Sequence, residues 1–324
     1  MIDKKFIGLR LPVFHATAEA EQLRFFAKAT GQTDPVYADE AAAHAAGQLS
    51  FGHGTTNAAD EAAWLVLWKL GLPLDTDVSD DVHNLELPAP QVASVQAFIE
   101  HRIASRKPAA YLTQEAWLQG VSFYIDERAI VPRSLIAEVL AEGSIDPWLD
   151  PNTTRVLDLC TGNGSLGILA ALAFPDITVL GLDLSKDALA VAQINIERHG
   201  LEGRMTLSES DGLKNADGVF DLILCNPPYV NAQSMSELPA EFKAEPALAL
   251  AGGDDGMDFI RQMLRDAPAH MSEHAVLVLE IGHERDYFEA AFPHLDVVWL
   301  STSAGDDQVL LLTRQAIVEG ANNK

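Results

Sequence analysis

The stretch Phe220-Asp221-Leu222-Ile223-Leu224-Cys225-Asn226-Pro227-Pro228-Tyr229 constrains the fold more than any other part of the chain. Its first half is an apolar run with the length and composition of a buried strand. Two prolines then end it, because proline supplies no N–H to a ladder and cannot continue a central strand. The carbonyls beside the prolines are left as free acceptors at the C-terminal edge of a sheet. In an open α/β fold that edge is where ligands bind. An asparagine side-chain oxygen next to a fixed backbone carbonyl makes a two-acceptor fork suited to a planar NH2 group, and Tyr229 offers a ring face to cover it. The stretch reads as a seat for an amide or an exocyclic amine.

The chain beyond residue 130 supplies a sheet to carry it. Strands are expected at 155–159, 178–183, 205–209, 220–224 and 275–281, with helices at 165–174, 186–199 and 258–267 between them. This alternation predicts a doubly wound, mostly parallel α/β sheet. Segments 296–300 and 308–313, with Ala304-Gly305-Asp306 between them, read as a closing antiparallel hairpin that brings the count to seven strands. A further helix opens at Val131-Pro132-Arg133-Ser134 and runs through 140.

The first third is different. Residues 1–47 read as a short helix over 19–30, a turn at Thr33-Asp34-Pro35 and an alanine-rich helix over 39–46 closed by Gly47. Phe51-Gly52-His53-Gly54-Thr55-Thr56-Asn57 is a glycine-flanked turn into a helix over 58–70, in which Trp64, Leu67 and Trp68 share a face. His53 there reads as a ligand, a base or a turn residue. An acidic loop over 75–81 and a helix over 91–105, stopped by Lys107-Pro108, follow. Residues 117–126 alternate apolar and polar around Gly120, which predicts a linking hairpin. The expected division is therefore an extension at 1–47, a small helical domain with its hairpin at 48–125, and the α/β domain at 126–324.

Hydrophobic residues make up 48% of the 324 positions and charged ones 21%, ordinary for a globular chain, but the formal net charge is −25. Such a chain repels phosphate backbones, which argues against free DNA as a partner and for a basic one. No apolar run approaches the roughly 18–20 residues of a membrane span. The two cysteines, Cys160 and Cys225, each end an expected strand, and with no signal peptide or paired-cysteine framework the cytoplasm is the expected compartment.

The first loop of the sheet, Asp158-Leu159-Cys160-Thr161-Gly162-Asn163-Gly164-Ser165-Leu166-Gly167, contains a formal G-x-G-x-x-G, and Asp183 ends the next strand. Both features also fit a dinucleotide site. Asp158 inside the loop favours a cationic cofactor over a pyrophosphate, Asp183 can take two ribose hydroxyls, and Asp211 after the third strand sits where an adenine would end. With the Asn-Pro-Pro-Tyr on the fourth strand, the set resembles amino-methylating S-adenosylmethionine-dependent methyltransferases, with no metal required.

Further motifs in order, Arg106-Lys107-Pro108-Ala109-Ala110-Tyr111-Leu112, Val131-Pro132-Arg133-Ser134 and Glu280-Ile281-Gly282, together resemble the HemK/PrmB family of protein glutamine N5-methyltransferases. Pro132-Arg133-Ser134-Leu135-Ile136-Ala137 stands where the release-factor branch reads Pro-Arg-Pro-Glu-Thr-Glu. With Phe51-Gly52-His53-Gly54-Thr55 and Tyr111-Leu112-Thr113-Gln114, this is more similar to the PrmB branch, which acts on a large-subunit ribosomal protein. The resemblance implies a Rossmann-like class I methyltransferase domain, a substrate-recognition role for 48–125, and a glutamine side-chain amide as acceptor. It implies Asn226, Pro227, Pro228 and Tyr229 as the catalytic set. Asp158, Cys160, Thr161, Gly162, Asn163 and Gly164 would surround the methionine part of the cofactor, with Asp183 on the ribose, Asp211 and Gly212 near the adenine, and Asn226 shared. Arg133 reads as a cap on the cofactor or as one half of a surface ion pair. A release-factor substrate and a nucleic-acid exocyclic amine stay as alternatives. Separately, Phe25-Phe26-Ala27-Lys28-Ala29-Thr30-Gly31 and Asp34-Pro35-Val36-Tyr37 resemble the opening of MaoC-like hot-dog dehydratases.

Overall fold

The structure, a computed structural model, describes residues 50, 53, 55, 58–74, 76 and 87–322. The extension expected over 1–47 lies outside the described residues, as do most of the turn at 51–57 and of the acidic loop at 75–81. The described residues form two compact units, one made of those between 50 and 115 together with Pro239–Ala244, the other of 116–238 and 245–322.

In the smaller unit, α1 (Ala58–Leu70) packs on α2 (Ala89–Ser105) and on the short α3 (Ala109–Thr113). The contact is made by Ala62, Leu65 and Val66 against Val95, Ile99 and Ala109. Of the three residues that share a face, Leu67 is buried, while Trp64, packed against this cluster, and Trp68 stay half-buried. With apolar residues nearly all round the helix, periodicity alone does not select a side. Trp68 stacks on Phe98 instead, with ring centroids 5.3 Å apart. The almost fully buried Arg102 donates to both Glu61 oxygens at 2.8 and 3.3 Å and to Glu241 at 3.3 Å. Arg106 grips both Glu241 oxygens at 2.6 and 2.7 Å. Each buried charge is thus paired, the condition for keeping it out of water.

The larger unit opens with a hairpin of β1 (Ala116–Leu118) and β2 (Val121–Phe123), turned at Gln119-Gly120, both at positive φ as a tight hairpin turn requires. After α4 (Ile136–Glu142) come β3 (Arg155–Leu159), α5 (Ser165–Ala173), β4 (Thr178–Asp183), α6 (Lys186–Arg198), β5 (Met205–Glu209), β6 (Phe220–Cys225) and α7 (Ala232–Glu237). Then follow α8 (Asp258–Asp266), β7 (Met271–Glu280), α9 (Arg285–Ala291), β8 (Val298–Thr302), β9 (Gly305–Thr313) and α10 (Arg314–Asn322). The seven strands run in the order β5-β4-β3-β6-β7-β9-β8. The first five are parallel, and β9 is antiparallel to both β7 and β8.

Side chains alternate between the two faces, except where the register shifts between Phe220 and Leu222. Leu222, Leu224, Val276 and Val278 enter one core with α4 and α5, while Phe220, Ile223, Leu277 and Leu279 enter the other with α8 and α9. Burying each such side chain contributes about 1.5–3 kcal/mol, and both faces must be covered for a parallel sheet. The chain leaves β3 to build β4 on one side and later β6 on the other. That reversal opens a crevice at the C-terminal ends of β3 and β6. Among the described residues no helix is long and apolar enough to cross a membrane.

Replacing the fully buried Leu277 with alanine is expected to lower the unfolding free energy by about 2–5 kcal/mol in denaturant titrations. Alanine at the exposed Tyr287 is expected to change it by less than about 0.5 kcal/mol.

Candidate active site

β6 ends at Cys225, which is paired with Leu159 on one side and Leu279 on the other. Pairing resumes only at Val230, whose N–H donates to the Leu250 carbonyl and whose carbonyl accepts from Gly252, both at 2.9 Å. The residues between form an arch. Among the described residues no backbone N–H reaches the carbonyls of Pro227, Pro228 or Tyr229, and the half-buried Asn226 side chain has no hydrogen-bond partner. The free acceptors expected from the sequence are present. Behind the arch runs Gly252-Gly253-Asp254-Asp255-Gly256, which sequence reasoning passed over. A Cβ on Gly256 would come 2.2 Å from the Tyr229 carbonyl oxygen, and one on Gly252 would come 2.8 Å from that of Pro228. Only glycine permits that approach, and the three glycines in five residues were the available signal.

The Tyr229 hydroxyl donates to Glu280 Oε1 at 3.2 Å. Glu280 Oε2 accepts from Ser134 Oγ at 2.6 Å and from the Leu135 N–H at 2.9 Å. Burial raises the Glu280 carboxyl above its ordinary range, against the lowering effect of these donors. Burial and the neighbouring Glu280 push the Tyr229 phenol far upward, so it stays protonated. Nearby, Arg133 donates to both oxygens of Glu245 at 2.7 Å, and the Val131 N–H donates to Glu245 as well. Because Glu245 is fully buried, the Arg133 pair is not a surface pair.

The glycine loop is held from several sides. Asp158, buried on the α5 face, accepts from Thr161 Oγ1 at 2.5 Å and from the Gly167 N–H at 2.9 Å through Oδ2, while its Oδ1 is buried with no partner. Asp183 accepts from the Gly162 and Ser185 N–H groups, both at 2.8 Å, and burial raises its carboxyl. Asn163 donates to the Ile130 carbonyl and accepts from the Ser165 N–H, both at 2.9 Å. Asn195, missed from sequence because it sits mid-helix in α6, is fully buried. Its amide pairs with both backbone groups of Tyr124 at 2.7 and 3.0 Å and donates to the Asn163 carbonyl at 2.9 Å.

Cys160 adopts φ 61°, rare for a residue with a side chain and a sign of local backbone strain. A hydrogen bond to Cys225, then burial, raise its thiol well above the usual range, which keeps it from acting as a nucleophile. Asp211 is exposed at the end of β5 in an ion pair with Lys214, and Gly212 beside it is buried. Asp187 and Glu197 are exposed on α6. Asp158, the Cys160–Gly164 loop, Asp183 and the arch thus share the C-terminal edge of β3, β4 and β6. His53 lies in the smaller unit, its ring 4.3 Å from that of Phe242.

Burial moves the Asp158 carboxyl from its ordinary 3.8 to about 6. The fold keeps this proton where the unfolded chain has already lost it, so the ionised group destabilises. The cost is absent below about pH 4, grows as pH rises through about 6 and levels off near 3 kcal/mol. The unfolding free energy of Asp158→Asn minus that of the unmodified protein is therefore expected to rise by about 3 kcal/mol between about pH 4 and pH 7. A pH-independent difference would contradict the burial.

The Methyltransferase small domain family matches residues 145–254, and the FAS1-like, dehydratase domain region matches residues 5–63, where the dehydratase-like motifs lie. The ribosomal protein uL3 glutamine methyltransferase of Bordetella pertussis is 52% identical over 275 residues, covering 84% of this chain and 91% of the relative. That of Burkholderia pseudomallei is 51% identical, covering 82% and 89%, and that of Neisseria gonorrhoeae is 47% identical, covering 83% and 90%. With identity of this level along most of its length, the chain belongs to the family of ribosomal protein uL3 glutamine methyltransferases.

Proposed function

We propose that this protein transfers a methyl group from S-adenosylmethionine to the side-chain amide nitrogen of a glutamine in the large-subunit ribosomal protein uL3. The observation that carries the proposal is the arch from Asn226 to Tyr229, a set of unpaired acceptors held rigidly at the switch point of the sheet in a chain of this family. Asn226, Pro227, Pro228 and Tyr229 are the catalytic set. Asp158, Cys160, Thr161, Gly162, Asn163, Gly164, Asp183, Asp211 and Gly212, with Asn226, bind the cofactor. Residues 48–125 read the substrate, 126–324 carry the transfer, and 1–47 are an appendage.

The residues present suit this cofactor. Asp158 keeps one buried oxygen without a donor, Asp183 spends one bond per oxygen and retains acceptor capacity, and the positive φ of Cys160, Gly162 and Gly164 turns the loop tightly. A cationic, hydroxyl-bearing molecule matches such a set of acceptors. When bound, S-adenosylmethionine supplies a sulfonium methyl group that is already strongly electrophilic, so the chain's task is positioning.

A glutamine amide nitrogen is a poor nucleophile because its lone pair is delocalised into the carbonyl. Asn226 Oδ1 and the Pro227 carbonyl each accept one amide hydrogen, which draws the nitrogen toward tetrahedral geometry and aims its lone pair. As the nitrogen becomes positive, both acceptors hold it more tightly, so they stabilise the transition state more than the ground state. Positioning of this kind contributes roughly 7–11 kcal/mol to lowering a barrier. The net charge of −25 favours encounter with a basic ribosomal protein.

A labelled-methyl assay offering uL3, a peptide release factor and ribosomal RNA side by side tests the proposal. Label is expected in a glutamine of uL3 alone, and label in the RNA or only in the release factor overturns it. Raising salt from about 0.05 to 0.5 M is expected to slow transfer to free uL3 about tenfold under second-order conditions, and a salt-insensitive rate would remove the charge argument.

A further inference from the structure

We infer that Glu280 is a positioning residue for the transfer: it fixes the height and tilt of the Asn226–Tyr229 arch through the Tyr229 hydroxyl, while being fixed itself by the turn before α4. This rests on the proposed use of the arch as an amide seat. β7 is apolar from Ala275 to Leu279 and then ends in a carboxylate that is almost completely buried. A buried carboxylate is costly unless its oxygens are satisfied, and here both are. Oε2 takes two donors from Ser134 and Leu135, and Oε1 takes the phenol of Tyr229.

Three chain segments distant in sequence therefore meet on one side chain, and only one of them is the arch. The fit at Tyr229 is enforced a second time. Gly282, two residues beyond, has φ 53°, and a Cβ there would stand 2.6 Å from Tyr229 Cε2 and 3.0 Å from Cζ. The ring is thus seated against bare backbone on one side and tied by its hydroxyl on the other. Tyr229 is the last residue of the arch, and Gly256 and Gly252 press on the carbonyls of Tyr229 and Pro228 from behind. With the arch packed there, releasing the phenol removes the hydrogen bond that sets its tilt between the paired positions Cys225 and Val230. The acceptors at Asn226 and Pro227 would then lose their aim without any change in their chemistry.

A carboxylate is the right group for this task. Glutamine has the same shape, but it cannot accept on both sides. Its oxygen is required by the Leu135 N–H, which cannot reverse, so its NH2 must face Tyr229 and the phenol must turn to accept. Phenylalanine at 229 keeps the ring and removes the tie.

The test is a double-mutant cycle on the full chain with Glu280→Gln and Tyr229→Phe, reading steady-state kcat and KM for uL3, the Kd for S-adenosylmethionine by calorimetry, and Tm. Each single variant is expected to lose about tenfold or more in kcat with KM and Kd changed less than about threefold. The double variant is expected to lose no more than the larger single loss, within about twofold, because both act through one contact. Glu280→Asp, which keeps the charge on a shorter arm, should recover part of the loss, while Glu280→Ala should not. Losses that multiply in the double variant, or that appear in Tm alone with kcat intact, overturn the inference. Failure of the unmodified protein to methylate uL3 would instead overturn the underlying reading, so the two failures are distinguishable.

Discussion

Two prolines in succession cannot be carried inside a sheet, and the way the chain accommodates the carbonyls they orphan governs everything at the C-terminal edge. Hydrogen bonding stops at Cys225 and restarts at Val230. A buried acceptor without a partner costs free energy, so an arch of this kind persists only where it is packed from behind and open in front. The glycines of the 252–256 loop and Gly282 provide the packing by removing the side chains that would collide with it. The Tyr229 hydroxyl, donating to Glu280, adds a directional tie. The unpaired acceptors are thus a feature that three separate parts of the chain maintain.

The same logic extends to the loop after β3. Its backbone is bent through positive φ at Cys160, Gly162 and Gly164, and a bend of that kind needs external support. Asp158 and Asp183 hold it from the sheet, and Asn163 and Asn195 hold it from the side through Ile130 and Tyr124. Every member is buried or half-buried, so solvent competes little with these bonds. Negative and acceptor groups outnumber cations around the crevice, with Arg133 neutralised by Glu245. That electrostatic character suits a sulfonium donor and a nitrogen gaining positive charge.

Much of this was legible in the sequence because the signals were local. The strands at 155–159, 178–183 and 205–209 have the bounds read from apolar periodicity, and the glycine loop and Asn-Pro-Pro-Tyr announce themselves within ten residues. β7 begins at Met271, earlier than its apolar run, since Met271 pairs with Phe220 and the strand then passes through a register shift in which Ser272, Glu273 and His274 are not buried. The helices α7, α9 and α10 were not expected, because each is short, polar and buries at most two side chains. What sequence could not show is the network at the site. Ser134 lies 146 residues from Glu280, and Tyr229 lies 51 residues from it, and no spacing rule joins such positions. On α1, which is apolar nearly all round, periodicity held no information about which side faces the core.

The proposed transfer rests on the grip of the Asn226 side chain and its neighbouring carbonyl on the amide hydrogens of the acceptor glutamine. Its most direct measurement is single-turnover methyl transfer to uL3 by Asn226→Ala at saturating cofactor and substrate. A fall in rate of about 10²- to 10³-fold is predicted from the loss of one transition-state hydrogen bond. An unchanged single-turnover rate would contradict the claim.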